Sequence, residues 1–386
     1  MSTPTDTPTR TPSGGDDRIT TRLDSWEGIT SSPVRPATKA IALGSLAGGV
    51  VLALLVWLLL DNLAVGVVLG YLTYLVVVYF GYRSTAGRRV GMDRLMQGLV
   101  YGAFGIAVLP LISVLLTVVT EGVGRAVNLD FLLQTMNGVT GLDDQAYADG
   151  TAPFVGGAYH AILGTLIITG IATVISVPIG VFAAIYLVEY AGLAKFVRLL
   201  RFFVDVMTGI PSIVAGLFAF ALFGVIFGIG TKNAMAGAIA LSVLMIPTVV
   251  RNSEEMLRIV PNELREASLA LGVPKWRTIY KVVLPTAASG LASGVTLAIA
   301  RVIGETAPLL VAVGGFYSLN TNPTQGPMNT LAVYAYEMFK KPLNPAIRDP
   351  SLERAWAAAL ILVIIVIGLN LTARLIAKVF APKTGR

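Results

Sequence analysis

The sequence predicts an all-α, polytopic membrane protein with about eight transmembrane helices. Three observations carry this. Hydrophobic residues make up 55% of the chain and charged residues only 13%, with a mean hydropathy of +0.74, which excludes an ordinary soluble domain. The apolar residues gather into long runs, and in lipid a backbone must satisfy its own hydrogen bonds, so such runs become helices. The runs also lack the strict alternation expected of strands in a membrane barrel.

Taken in order, residues 1–36 are rich in Ser, Thr, Pro, Gly and Asp with few apolar side chains, so a disordered tail is expected there. The tail is too polar, and too long before the first apolar run, to resemble a cleaved signal peptide. Spans are expected at 38–60, 63–82, 95–120, 157–189, 200–229, 234–250, 286–314 and 355–379. Several exceed the ~20 residues that a bilayer requires, so tilt or ends outside the hydrocarbon are expected. Pro178 and Pro211 stand inside apolar runs and should bend them. Gly290 and Gly294 have the spacing of close helix packing.

Basic residues set the orientation. Arg35 and Lys39 precede the first span, Arg83, Arg88, Arg89 and Arg94 follow the second, and Lys195, Arg198 and Arg201 follow the fourth. Arg374, Lys378, Lys383 and Arg386 close the chain. With eight spans all of these fall on one side, expected to be the cytoplasm and to hold both termini. The segment 121–156, where Asp130, Asp143, Asp144 and Asp149 stand against Arg125, is then outside.

Composition narrows the function classes. The net charge of +7 suits contact with anionic lipid headgroups and implies no nucleic acid. Without cysteine there are no disulfides, thiolate metal sites or Cys nucleophiles. His160, the one histidine, starts a span at its outer end and is expected to be solvated or a helix-end residue. No G-x-x-x-x-G-K-[ST] loop occurs, so the chain does not itself hydrolyse ATP by that route.

The stretch from Arg251 to Pro285 is a polar island of about 35 residues between two apolar runs, where a link between spans needs only a few. A helix is expected from Pro261 to Leu271, with Leu264, Ala267 and Leu271 near one face and Gly272 as its stop. A second is expected from Pro274, with Trp276, Ile279 and Val283 at helical spacing, until Pro285 marks entry into the next span. Two short helices at an angle make a docking knob, kept wet by Glu263, Arg265, Glu266, Lys275, Arg277 and Lys281. An amphipathic helix lying on headgroups is the plainer alternative.

Within this stretch Glu266-Ala267-Ser268, Gly272 and Val282-Val283-Leu284-Pro285 resemble the EAA loop of ABC-importer permeases, with Ser268 for the second Ala and Val282 for Ile. The resemblance implies that Glu266, Ala267, Ser268, Gly272, Leu284 and Pro285 couple the chain to an ATP-hydrolysing subunit. Further runs, PIGVFAAIYLVEYA at 178–191, GIPSIVAGLFAF at 209–220 and ARVIGETAPLL at 300–310, resemble the PstA family of phosphate-importer permeases. IGETAPLL separates a PstA-like chain from its PstC-like sister, which carries GETMA. The likeness is strong over 156–310 and looser over the last six spans. It implies a permease domain (95–386) with 251–285 as its coupling loop, and leaves the tail (1–36) and an extra transmembrane hairpin (37–94) outside the family's six-span pattern. It further implies phosphate import by alternating access, with a PstC-like sister permease, a PstB-like ATPase dimer using ATP and Mg, and a PstS-like phosphate-binding protein. No cofactor is expected on this chain. Another oxyanion, sulfate or molybdate, stays open as substrate, and a membrane-integral enzyme or a channel is the alternative of a different class.

Four charges near or within the spans bear on substrate. Arg301 lies near the middle of the seventh expected span, where a charge costs about 2.5–3.5 kcal/mol on insertion scales, so it should face a cavity or a partner. Glu305 follows four residues on, on the same expected helical face. Arg251 and Glu254 repeat the theme at spacing three, at the inner end of the sixth span. An anion path needs positive charge to replace water around the ion, and a nearby Glu keeps the ion from being held too tightly. The resemblance implies transport roles for all four; an Arg–Glu pair that only locks helices is the alternative. Asp205, with Arg201 and Arg198 on one helical face, reads first as a helix start and interface, and second as a coupling residue.

Overall fold

The computed structural model describes residues 36–190 and 194–380, so the expected disordered tail up to Arg35, and the terminal Lys383 and Arg386, lie outside the described residues, while Pro36 already opens a helix. No strand occurs among the described residues. The chain divides into two compact units, the first ending at Ile112 and the second starting at Ser113.

The first unit holds α1 (Pro36–Leu60), α2 (Leu63–Ala86) and the start of α3 (Arg88–Ala126). The turn between α1 and α2 is closed by Asn62, whose side chain accepts a hydrogen bond from the Val65 N–H at 3.1 Å. Without side chains at Gly49 and Gly70 the two helices approach backbone to backbone: a Cβ on Gly70 would fall 2.4 Å from the Gly49 carbonyl oxygen. Small residues allow such approach where lipid gives helices no hydrophobic reason to associate. The outward Leu and Val side chains stay exposed, as a lipid-facing surface requires.

The second unit is built on α6 (Tyr159–Glu189), α9 (Ala234–Ile259), α12 (Leu284–Ile303) and α15 (Asp349–Phe380). Its centre is α9, whose Ala236, Ala240, Leu241, Met245 and Val249 are fully buried against Ile168 and Ala172 of α6 and Ala298 and Val302 of α12. Asn233 caps α9 by accepting from the Ala236 N–H at 2.8 Å. Short helices fill the connections: α4 (Leu129–Leu133), α5 (Gly141–Ala148), α7 (Ala194–Thr208), α8 (Ser212–Phe227), α10 (Asn262–Ala270), α11 (Lys275–Thr278), α13 (Ala307–Ala312) and α14 (Leu331–Lys340).

Among the described residues seven helices are long and apolar enough to cross a membrane, and the eighth crossing exists only if a bent pair counts as one. That pair is α7 and α8, which meet at 103°. The expected single span at 200–229 is therefore corrected to two legs broken over 209–211. Pro211 has no N–H to give and drives Ile210 out of helical conformation, so the apolar run cannot stay one helix. The expected span at 286–314 is likewise cut: α12 ends at Ile303, Gly304 follows, and α13 restarts with Pro308 in its first turn. At Pro285 the expected second knob helix and the next span do not separate. α11, a π turn (Ile279–Val283) and α12 run on as one continuous helix from Lys275 to Ile303. The widened turn directly before Pro285 makes room for its ring and absorbs the missing N–H, so the helix does not break.

Candidate functional site

The two broken spans meet. A cavity of about 250 Å³ is lined by Thr208, Ile210 and Ser212 around the α7–α8 break, by Pro247 and Thr248 of α9, and by Arg301, Val302 and Glu305. Irregular backbone at membrane depth is tolerated where it borders protein or a cavity, which is the arrangement at both breaks. Arg301 sits in the last turn of α12, while the Glu305 N–H donates to the Val302 carbonyl at 3.1 Å and closes a tight turn beyond it. Glu305 is thus not on a shared helical face with Arg301, because α12 has already ended at Gly304. The turn nevertheless returns the carboxylate to the cavity that Arg301 lines. Among the described residues no salt bridge joins Arg301 to Glu305 or to any other acid. An exposed guanidinium and a half-buried carboxylate beside the exposed Thr208 and the half-buried Ser212 and Thr248 can hold an oxyanion through charge-assisted hydrogen bonds while limiting its grip.

Arg251 and Glu254 lie elsewhere. They line a second cavity of about 360 Å³ with Arg201, Val204 and Asp205 of α7, and with Glu255 and Arg258 of α9. Arg251 donates to Asp205 at 2.7 Å, Arg201 donates to Glu254 at 2.9 Å, and Arg258 also reaches Glu254. The four sequence-predicted pathway residues are therefore divided between two cavities, and the Arg and Glu at spacing three do not pair with each other. Arg251 and Asp205 are each about half exposed, and pairs of that kind contribute only about 0.2–1 kcal/mol. Asp205, read first as an interface residue, is the acid that holds Arg251.

The knob forms much as its local chemistry dictates. Pro261 caps α10 and Gly272, at φ +75°, ends it with its N–H donated to Leu269 at 2.9 Å. Ser268 and Thr278 hydroxyls bond at 2.9 Å across the two arms, so the departure from Ala at 268 adds a tie. Glu266, Ala267 and Pro285 are exposed and Leu284 is half-buried. Leu264, Leu271, Trp276 and Tyr280 are exposed too, Leu271 at 84%. Apolar side chains held outward on an otherwise polar segment are what the expected docking knob requires.

A family model described as the binding-protein-dependent transport system inner membrane component matches residues 176–386. The phosphate transport system permease protein PstA 1 of Mycobacterium tuberculosis is 44% identical over 76% of this chain and 91% of its own length. This chain belongs to the PstA family of transport permeases. The PstA of Haemophilus influenzae is 36% identical over 73% of this chain and 93% of its own length. Among solved structures, an inward-facing conformation of the MetNI methionine ABC transporter superposes with a TM-score of 0.46 at 22% identity, over 58% of this chain and 94% of that one.

Other residues of this PstA-family chain escaped the sequence reading. Arg265, expected to keep the knob wet, points inward: it donates to Glu189 at 3.0 Å and to the Leu257 carbonyl at 2.8 Å, and it also reaches the Val260 carbonyl. Lys275 bonds the Glu189 carbonyl, so the end of α6 is the post on which both arms are hung. At the opposite end of the unit Arg354 forms a two-pronged pair with Asp144, at 2.7 and 3.1 Å, with both side chains 1% exposed. Asp144, expected only to lie in the outer segment 121–156, is buried because α5 folds down onto α15. His160 is likewise buried, at 2% exposure, between the rings of Tyr317 and Tyr334. The only advance signal for Arg354 was a lone arginine opening an apolar helix.

Proposed function

We propose that this chain is a membrane permease subunit of an ATP-driven importer that carries inorganic phosphate into the cytoplasm by alternating access. One observation carries the substrate: the relatives it matches over three quarters of its length are phosphate permeases by name. The cavity chemistry supports that reading, since Arg301 and Glu305 stand where two broken apolar spans open a polar space. Glu266, Ala267, Ser268, Gly272, Leu284 and Pro285 shape the exposed knob that meets a PstB-like ATPase dimer, which uses ATP and Mg. A PstC-like sister permease completes the membrane core, and a PstS-like binding protein delivers phosphate from outside. The knob and both termini lie in the cytoplasm, as the distribution of basic residues supports.

Arg301 supplies the test. Arg301→Gln keeps length and hydrogen-bonding groups but removes the charge, and is expected to abolish uptake of labelled phosphate from a normally assembled complex. Arg301→Lys restores charge without the planar fork and is expected to recover part of it. Sulfate and molybdate are run as competitors. Normal uptake by Arg301→Gln, or a loss explained entirely by degraded subunit, removes Arg301 and Glu305 from the path.

A further inference from the structure

The hairpin of α1 and α2, outside the six-span permease pattern, is strongly basic at one end. Arg83 lies in the last turn of α2, and Arg88, Arg89 and Arg94 open α3, all four exposed. Among the described residues of this unit the acids are Asp61, at the far turn of the hairpin, and Asp93, and neither forms an ion pair. Arg94 is the arginine that reaches in among the helices. Its guanidinium lies 5.4 Å over the Tyr82 ring and donates to Gln97 at 2.7 Å, and Gln97 in turn donates to the Tyr101 hydroxyl at 3.0 Å. Arg94 is thus held by neutral groups alone, a cation placed at a membrane helix end with its counter-ion still to come.

Two cavities follow one another from this end. A polar cup of about 180 Å³ is lined by Ala42 of α1, by Tyr74 and Tyr82 of α2, and by Arg94, Gln97 and Tyr101 of α3. An apolar groove of about 360 Å³ runs between α1 and α2, lined by Leu46, Val50, Val67, Tyr71 and Tyr74 along the close approach of Gly49 and Gly70. Tyr74 borders both. Along α1 from Ala42 to Val50, and along α2 from Tyr82 to Val67, the walls turn from polar to apolar with distance from the basic end. The groove from Tyr74 to Val67 is about 10 Å of helix long, a depth that fits inside one leaflet of a core about 30 Å thick.

We propose that cup and groove together bind one anionic phospholipid, its phosphate on Arg94 and an acyl chain along the groove. A headgroup on a tail is the ligand whose polarity changes in the same order as these walls. A free anion would satisfy Arg94 and leave the groove empty, and a partner's apolar helix would cover the groove and leave Arg94 without a counter-ion. A zwitterionic lipid brings its own cation to compete with the arginine. Tyrosines suit the headgroup level, where one end of the ring is apolar and the other wet, and basic pockets between membrane helices take anionic headgroups. Arg83, Arg88 and Arg89 do not line the cup, so they add general attraction to an anionic surface, while Arg94 fixes the site.

The experiment titrates the full-length chain in detergent with phosphatidylglycerol, and with phosphatidylcholine of the same acyl chains, and counts bound lipid by native mass spectrometry. Phosphatidylglycerol is expected to bind in preference, and excess glycerol phosphate should not displace it. Arg94→Gln is expected to weaken its binding about fivefold, and Arg94→Lys, which keeps the charge, to recover part of the loss. Val50→Trp fills the groove and should weaken binding with every arginine in place, whereas Arg88→Gln with Arg89→Gln should change it less than Arg94→Gln alone. Equal binding of the two lipids, or wild-type binding by Arg94→Gln, overturns the site. A loss in Arg94→Lys as large as in Arg94→Gln assigns the effect to packing on Tyr82 and overturns it too, as does an Arg88 and Arg89 loss that matches Arg94→Gln, which leaves only a basic surface. Displacement by glycerol phosphate, or normal binding by Val50→Trp, reduces the site to a headgroup anion and overturns the lipid. Phosphatidylglycerol held by the isolated chain but expelled from the assembled importer gives the groove to a partner's helix instead.

Discussion

Glu189 and Arg265 stand 76 residues apart in the chain and 3.0 Å apart in space, and this ion pair hangs the exposed knob on the end of α6. Glu189 is 7% exposed and Arg265 is 15% exposed, so either one left alone is a largely buried charge without its counter-ion. Arg265 also occupies the Leu257 and Val260 carbonyls that the end of α9 leaves without intrahelical donors. The knob is thereby tied to the ends of two helices, α6 and α9.

Glu189→Ala is therefore expected to lower stability by about 3 kcal/mol, toward the range for breaking a buried pair. Glu189→Gln, which keeps an acceptor, should cost less. Thermal unfolding of the purified chain measures the first effect, and ATP-driven uptake should fall in parallel. An unchanged midpoint with unchanged uptake in Glu189→Ala would detach the knob from this anchor.

Gly272→Val places a β-branched residue at φ +75°, a left-handed conformation that costs an ordinary residue about 1–2 kcal/mol. No atom crowds the position, so the penalty is conformational and local. The variant is expected to stay in the membrane yet lose both co-purification with the ATPase and uptake. Gly272→Asn, which tolerates that conformation, should keep most of both. Full transport by the valine variant would sink the docking role.

The Asp144–Arg354 pair predicts a sign difference. Asp144→Asn or Arg354→Met alone strands a buried charge and is expected to destabilise by about 3–5 kcal/mol, whereas Asp144→Leu with Arg354→Met should fall near the wild type. The thermal midpoint in detergent distinguishes these outcomes. Additive losses in the double variant would show that the Arg354 bond to the Val155 carbonyl, at 2.9 Å, matters more than the pair.

Glu337 predicts a pH dependence. Its carboxylate packs over Gly315, where a Cβ would lie 2.3 Å from an oxygen, and burial raises its pKa above the ordinary 4.5 despite opposing effects of Asn329 and Lys341. A raised carboxyl favours the folded state below the unfolded value, and that advantage is lost as pH rises through the folded value. Glu337→Gln should therefore melt higher than wild type at pH 8, with the gap closing as pH falls toward 4.5. A gap independent of pH would assign the effect to packing instead.

What could be read before folding was local. Apolar runs declare their helices because lipid leaves the backbone no other partner, and a glycine after Leu271 ends a helix by its own conformational freedom. An arginine amid apolar residues announced that Arg301 needs a cavity, since lipid would make the charge too costly. Even Pro211 carried a warning of a bend, though not the 103° between α7 and α8.

Which charge meets which was decided only in three dimensions. Asp205 finds Arg251 across 46 residues, and Asp144 finds Arg354 across 210. The periodicity of each helix says which face is apolar, but a salt bridge depends on the distance and rotation between two helices that are remote in sequence. Those are set by packing, by the small residues of α9 and the breaks at 209–211 and after Ile303, and so the division of four expected pathway residues between two cavities belongs to the tertiary structure alone.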